Sequence, residues 1–289
     1  MFSIDGSTRL YGIIGNPVSH SLSPRIHNAA FNSCKINAIY VPMAVEKADA
    51  VLKKSLVALP IHGVSVTIPH KVWAARSADV QDDLTRLCGA ANTLYKKGTD
   101  GLLYGANTDG LGALRALREN VGNLRGRRVL LLGYGGSAAA IAHSLLLKEN
   151  LSLLLVYGRN FSKCKRFAQH LAQTHPDQAS QVVATQLKDV NSEDIDIIIN
   201  TTPLGMQGQS AELPLPAHLI QAYHTVFDIV YVPARTPLLQ LTAERKARSI
   251  PGYLMLLYQA VLQFELFSGQ KAPVHLMERE LLSALRQKR

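Results

Sequence analysis

Lys71 stands just beyond the point where an apolar run breaks off in "SVTIPHK", and it shares that segment with the hydroxyls of Ser65 and Thr67. The pattern recurs along the first third of the chain. "GNPVSHSLSPRIHN" places Ser21 and Ser23 ahead of a proline that can open a helix. "GAANTL" gives Asn92, and "GANTDG" gives Asp109 at a helix start. Hydroxyls, an amide, one ammonium and one carboxylate suit a polyhydroxylated acid. A lysine ammonium can stabilise negative charge developing on an oxygen and pass it a proton. Taken singly, Lys71 also reads as a solvated lysine after a strand and Asp109 as a helix cap.

A second group lies in "RRVLLLGYGGSAAAIAHSLLLKEN". Gly133, Gly135 and Ala138 fill the three positions of GxGxxG/A between a buried strand and an Ala-rich helix. The first glycine allows a tight turn, the second lets backbone amides approach a pyrophosphate, and the small third residue lets helix and strand pack closely. The helix N-terminus then faces the phosphates. At the end of the next strand, "LSLLLVYGRN", there is no carboxylate for a ribose 2′-hydroxyl; Gly158, Arg159, Asn160 and then Lys163 stand there instead. Positive charge at that place selects the 2′-phosphate, so the cofactor expected is NADP.

These residues need strand ends to hold them. Val129–Leu132 followed by the glycine turn, a helix and a second strand is a βαβ unit. Further apolar runs at 181–184, 195–200 and 225–230, spaced by segments of helix length, predict a continued parallel sheet. Before residue 107, "RLYGIIG", a helix from Pro24, "AIYVPM", a helix from Glu46 and a strand over 61–68 repeat the alternation. The fold class is therefore α/β, with two α/β domains and a cleft between them. One covers residues 1–107, with the helices of 253–289 packing back on it; the other, 108–252, is Rossmann-like. In open sheets of this kind the carboxyl ends of the strands line the ligand crevice.

Composition narrows the class further. With 289 residues and 47% hydrophobic residues the chain is long enough for two cores. No run approaches the length of a membrane span, and the N-terminus lacks the pattern of an export signal. Cys34, Cys88 and Cys164 are far apart, which predicts packed thiols in a reducing cytoplasm, with neither disulfides nor a metal site. His20, His27 and His70 show no metal-ligand spacing. The net charge of +10 comes from small clusters, at 125–128, 159–166 and the terminal "RQKR", with no nucleic-acid motif beside them. Small anionic ligands fit this charge better than nucleic acid does.

The chain resembles the shikimate dehydrogenases, including the related quinate/shikimate dehydrogenases. The resemblance rests on "GNPVSHSLSPRIHNAAF", "VTIPHK", "GAANTL", "GANTDG", "GYGGSAAA", "NTTPLGM", "DIVYVPARTPLL" and "GYLMLLYQA", in order over nearly the whole chain. It implies NADP-dependent interconversion of 3-dehydroshikimate and shikimate in chorismate and aromatic amino acid biosynthesis, by a monomer or homodimer. It implies Lys71 and Asp109 as the catalytic pair, with the proton carrier between them left open. It places Ser21, Ser23, Ser65, Thr67, Asn92, Tyr231 and Gln259 on the substrate. On the cofactor side it places Gly133, Tyr134, Gly135, Gly136 and Ser137, then Gly158, Arg159, Asn160, Lys163, Thr201, Ile229 and Gly252, with Asp83 as a weaker match. Two departures stand out. Ser65 replaces the family's usual Asn, as in quinate-active and plant-type relatives. Gly158-Arg159-Asn160 replaces the usual Asn-Arg-Thr, keeping only the arginine. A quinate or aminoshikimate dehydrogenase, or a weakly catalytic NADP-binding regulator, is the alternative.

Overall fold

The computed structural model describes residues 4–98 and 100–287. Lys288 and Arg289 of the basic "RQKR" end, and the first three residues of the N-terminal segment, lie outside the described residues. The chain divides into two compact units. One runs through Thr108 and resumes at Leu257; the other is Asp109–Leu256.

The first unit contains β1 (Arg9–Gly15), α1 (Ser23–Ser33), β2 (Ala38–Ala44), α2 (Ala50–Ala58), β3 (Ile61–Val66), α3 (Lys71–Ser77), β4 (Val80–Gln81), α4 (Asp83–Cys88), β5 (Thr93–Lys96) and β6 (Leu103–Ala106). Its six strands follow the order β2-β1-β3-β5-β6-β4. β1 is parallel to β2 and β3, whereas β5 runs antiparallel to both β3 and β6. The antiparallel β5 and β6 extend the simple alternation expected from the sequence. Two boundaries also differ from expectation. The strand expected over 61–68 ends at Val66. There the chain turns, His70 N donating to Thr67 O at 3.0 Å, and Pro69 has no N–H to give a ladder. The helix expected from Glu46 starts at Ala50, because the Asp49 side chain accepts from the backbone N–H groups of Val51 and Leu52 and caps it there.

The second unit contains α5 (Thr108–Val121, beginning one residue before the boundary), β7 (Arg128–Leu132), α6 (Gly136–Lys148), β8 (Leu153–Tyr157), α7 (Phe161–Thr174), β9 (Val182–Ala184), β10 (Ile197–Asn200), β11 (Thr225–Asp228), α8 (Pro237–Glu244) and β12 (Arg248–Pro251). Its order is β12-β11-β10-β7-β8-β9, every neighbouring pair parallel. Val129–Leu132 and Ile197–Ile199 are fully buried, as in a sheet covered on both faces. The connections flanking β10 carry only 3₁₀ turns, at Leu187–Asp189, Ser192–Asp194 and Ala217–Leu219, where the sequence spacing allowed helices. Pro203, Gly205, Gly208, Pro214 and Pro216 prevent a helix in the longer of the two.

The last two helices are α9 (Tyr253–Ser268), within which the second boundary falls, and α10 (Val274–Gln287). In the first unit, Phe264 and Phe267 of α9 meet Phe31 and Tyr11 at ring-centroid distances of 5.3 and 5.1 Å, and the Tyr11 hydroxyl donates to Phe267 O at 2.8 Å. Each ring so buried contributes about 1.5–3 kcal/mol. Arg25 of α1 bonds Glu280, Ser283 and Gln287 of α10. Among the described residues no helix is long and apolar enough to cross a membrane.

Buried histidines tie stability to pH. His143 Nδ1 lies 2.9 Å from His175 Nε2, and burial, with His175 and His170 adding to it, lowers the His143 pKa to about 4. Stacked on Tyr40, His27 is lowered to about 3 by burial, with Gln263 pulling the other way. A histidine depressed in the folded state binds fewer protons than in the unfolded chain, so stability is full above about pH 6.5 and falls as pH drops towards the folded pKa. Each group is expected to remove about 2 kcal/mol between pH 7 and pH 5. Urea unfolding at the two pH values checks this: His143→Gln should remove about 2 kcal/mol of the loss, and an unchanged pH dependence in that variant sinks the assignment.

Candidate active site

In the first unit the polar residues singled out in the sequence sit where the strands end. Ser23 opens α1 behind β1, and its backbone N–H donates to Ser21 Oγ at 3.3 Å. Ser65 is the penultimate residue of β3, and Thr67 follows that strand. Lys71, half-buried, is the first residue of α3; its carbonyl accepts the Ala91 N–H at 2.9 Å, which ties it to the segment carrying Asn92. The neighbouring His70 is buried and fixed by Val45 O, 2.6 Å from Nε2.

Asn92 is the hub. Its Oδ1 accepts from Thr108 N and Thr93 Oγ1, both at 2.9 Å, and its Nδ2 donates to Thr108 Oγ1 at 2.9 Å and towards Gln259 Oε1 at 3.5 Å. Thr108 Oγ1 in turn donates to Gln259 O at 3.1 Å. Asp109 follows Thr108 in the chain, in the first turn of α5. A network so fully bonded holds its members in one arrangement.

Sequence reasoning missed three members of this unit's buried polar layer. Gln263, one helical turn after Gln259, accepts from Ser65 Oγ at 2.7 Å and donates to Asn92 O at 3.1 Å and Thr93 Oγ1 at 3.0 Å. Its i, i+4 spacing from Gln259 was the available signal. Tyr40 and His27 are the others. Burial pushes the Tyr40 phenol up, while the Ser65 and Ser23 hydroxyls beside it pull the other way. Asp83 stands apart, exposed in the first turn of α4 and paired with Arg86.

In the second unit the expected residues again gather at the carboxyl ends of parallel strands. Gly133 follows β7 at φ 117°, in the left-handed region, and a Cβ there would strike Thr201 Oγ1. Both reasons require glycine. Thr201 Oγ1 itself donates to Leu132 O at 2.6 Å. Gly135 caps α6 without a side-chain bond, and a Cβ on Gly135 or Gly136 would meet no neighbour within 4 Å. Gly158 follows β8 under the Tyr134 ring. Arg159 and Lys163 are exposed, and Asn160 Oδ1 caps α7 by accepting Lys163 N at 3.0 Å. Ile229 and Tyr231 follow β11; burial raises the Tyr231 phenol pKa. Gly252 follows β12, its missing Cβ against the Ile229 and Val230 carbonyl oxygens at 2.5 Å.

The strand order reverses at β7, between β10 and β8, which is where such sheets bind ligands. Uncapped N–H groups on a 13-residue helix, approachable glycines and two exposed cations at the second strand fit a dinucleotide carrying a 2′-phosphate.

Residues 13–94 match the family model described as the shikimate dehydrogenase substrate binding domain, and residues 252–282 the one described as the shikimate 5'-dehydrogenase C-terminal domain. The chain is 40% identical over 264 residues to a shikimate dehydrogenase (NADP(+)) of Leptospira interrogans, covering 91% of this chain and 90% of the relative. It is 38% identical over 288 residues to one of Pyrococcus furiosus, covering 99% and 100%. A crystal structure of a shikimate dehydrogenase in complex with NADP+ superposes with a TM-score of 0.91 at 32% identity, over 98% of each chain.

Proposed function

Because this chain belongs to the shikimate dehydrogenase family, we propose that it catalyses the reversible, NADP-dependent reduction of 3-dehydroshikimate to shikimate in aromatic biosynthesis, as a monomer or homodimer in the cytoplasm that does not act on nucleic acid. The observation that carries this reading is the layer of hydroxyl and amide groups at the strand ends of the first unit, with Lys71 at the head of α3. A ring acid bearing several hydroxyls needs such groups.

In this reading Ser21 and Ser23 take the substrate carboxylate, and Thr67, Asn92, Gln259 and Ser65 take the ring hydroxyls, joined by Tyr231. Asn92 is pre-organised by Thr93 and Thr108, so little ordering is left for the moment of binding. Bound NADPH supplies the hydride. The Lys71 ammonium holds a proton at the carbonyl oxygen, stabilises the negative charge that develops there and delivers the proton as the oxygen becomes an alkoxide. Asp109 orients that ammonium and takes part in the proton transfer. Gly133 to Ser137 receive the pyrophosphate, while Arg159 and Lys163 receive the 2′-phosphate. Thr201, Ile229 and Gly252 border the nicotinamide half, and Asn160 acts by capping α7. Asp83 is the weaker match of the set, to a residue near the cofactor.

A quinate-active reading is favoured by one observation. Ser65 Oγ donates to Gln263 rather than presenting an amide, which leaves more room and one donor fewer. Oxidation of shikimate and of quinate, each with NADP+ and with NAD+, decides between them by the absorbance of the reduced cofactor. Shikimate with NADP+ is expected to give the highest kcat/KM, and preference for quinate or NAD+ overturns that specificity. Silence with every pair would leave a cofactor-binding regulator.

A further inference from the structure

The glycine turn carries a large aromatic residue whose position the reaction does not explain. Tyr134 lies between Gly133 and Gly135, half-buried, and its ring rests on Gly158 at the end of β8. A Cβ built on Gly158 would collide with Cδ1 and Cε1 of that ring. Any side chain at 158 must therefore displace Tyr134. The obstacle is a side chain and not backbone, so the ring can swing away while the strand stays in place.

This is the strand end that meets the adenosine ribose in dinucleotide-binding sheets, and its first residue normally gives a side chain to the ribose. Gly158 has none to give. The Asn160 side-chain Oδ1 is already committed to the α7 cap. Arg159 and Lys163 are exposed and supply charge. The ring of Tyr134 is the one bulky group packed onto that strand end from the glycine turn. It pairs an aromatic face, suited to a ribose or adenine, with a phenol able to donate to a phosphate.

We infer that Tyr134, seated on Gly158, forms the side-chain wall of the adenosine 2′-phosphate subsite and replaces a residue-158 side chain in determining cofactor specificity. The inference rests on the assignment of Gly158–Lys163 to the adenosine phosphate made above. Residues 134 and 158 then form one unit: the large residue at one position requires glycine at the other.

The test uses the full chain and adenosine 2′,5′-bisphosphate, which carries the 2′-phosphate without the nicotinamide, titrated by calorimetry beside 5′-AMP. Tyr134→Ala is expected to weaken the bisphosphate at least about tenfold and 5′-AMP by less than about threefold, and Tyr134→Phe to weaken the bisphosphate about threefold. Gly158→Asn alone should weaken the bisphosphate about tenfold by pushing the ring aside, whereas in the Tyr134→Ala background it should be neutral or restorative. Melting curves establish that each variant is folded, and Tyr134→Phe, which keeps the ring, stands in if Tyr134→Ala does not fold. Unchanged bisphosphate affinity in the Tyr134 variants, or strictly additive effects of the two substitutions, overturns the inference. Arg159→Ser separates it from its premise. Loss of bisphosphate binding in that variant with additive 134/158 effects leaves the subsite in place and removes Tyr134. No loss in Arg159→Ser, with a coupled 134/158 pair, keeps Tyr134 and removes the arginine.

Discussion

Replacement of Lys71 by alanine is expected to lower kcat at least about a hundredfold, a loss of about 2.7 kcal/mol of transition-state stabilisation. KM for shikimate should move only a few-fold. The split follows from where the residue sits. The proposed substrate contacts Ser21, Ser23, Asn92 and Gln259 belong to other segments, and Thr67 lies ahead of α3 in the turn after β3, so all of them remain in place. Lys71 is bound to the neighbouring segment through its backbone carbonyl, which accepts Ala91 N at 2.9 Å and which alanine keeps. The α3 interior is held by Ala74 and Ala75, both buried, so truncating a half-buried residue at the helix start leaves the packing intact. What is removed is a charge and a proton, needed most when the oxygen carries negative charge. Such an interaction lowers kcat and kcat/KM together.

Steady-state kinetics on shikimate with NADP+ read this directly, and turnover within about fivefold of the parent would remove Lys71 from the chemistry. Asp109→Asn in parallel addresses the proton carrier. If Asp109 only orients the lysine, the amide keeps a hydrogen-bonding group there, and the pH profile of kcat retains its shape at reduced height. If Asp109 accepts the proton, the profile loses a limb.

The strand ends were legible because strong local signals mark them. Gly133 must be glycine for reasons of φ and of Thr201, and such positions stand out in an apolar run. Pro24 and Pro69 punctuate the first unit in the same way. Elements whose existence depends on distant partners were not legible. β5 and β6 are four residues each, and they are strands because each pairs with the other and β5 also with β3. β12 has exposed Arg248 and Ser249 and, among the described residues, pairs only with β11, so no apolar run announces it. The buried layer of Tyr40, His27 and Gln263 was hidden for a related reason. Each looks in sequence like an ordinary residue of a strand or helix, and only the packing of α9 on the sheet brings Gln263 to Ser65 and Asn92. Tyr134 was visible as part of the glycine turn, yet its dependence on Gly158 could only come from the fold.

The same contrast applies to Asp228, whose substitution by alanine is expected to cost about 4 kcal/mol of stability, the second large effect. Asp228 ends β11 and is fully buried. One carboxylate oxygen accepts Asn200 Nδ2 at 2.9 Å and Val230 N at 3.2 Å, and the other accepts Thr236 Oγ1 at 2.5 Å. Burial raises its pKa, and these hydrogen bonds pull the other way. Two of the three donors have a further duty: Thr236 Oγ1 caps α8 by accepting Leu239 N at 3.2 Å, and Asn200 Oδ1 accepts Thr202 N at 3.0 Å and Thr202 Oγ1 at 2.7 Å. The carboxylate thus joins the end of β10, the segment leading to Tyr231 and the start of α8. Alanine leaves three donors without their acceptor in a site closed to water, each unmet group costing about 1–3 kcal/mol before relaxation. Asparagine fills the volume but turns one acceptor into a donor facing a donor, and about half the loss should remain. Urea unfolding of both variants near neutral pH gives the comparison. A loss below about 1 kcal/mol in Asp228→Ala would show that water or a shifted backbone replaces the carboxylate at little cost. The expected order, alanine worse than asparagine and both worse than the parent, would make Asp228 the group that keeps the β10 and β11 strand ends in register with the residues they carry.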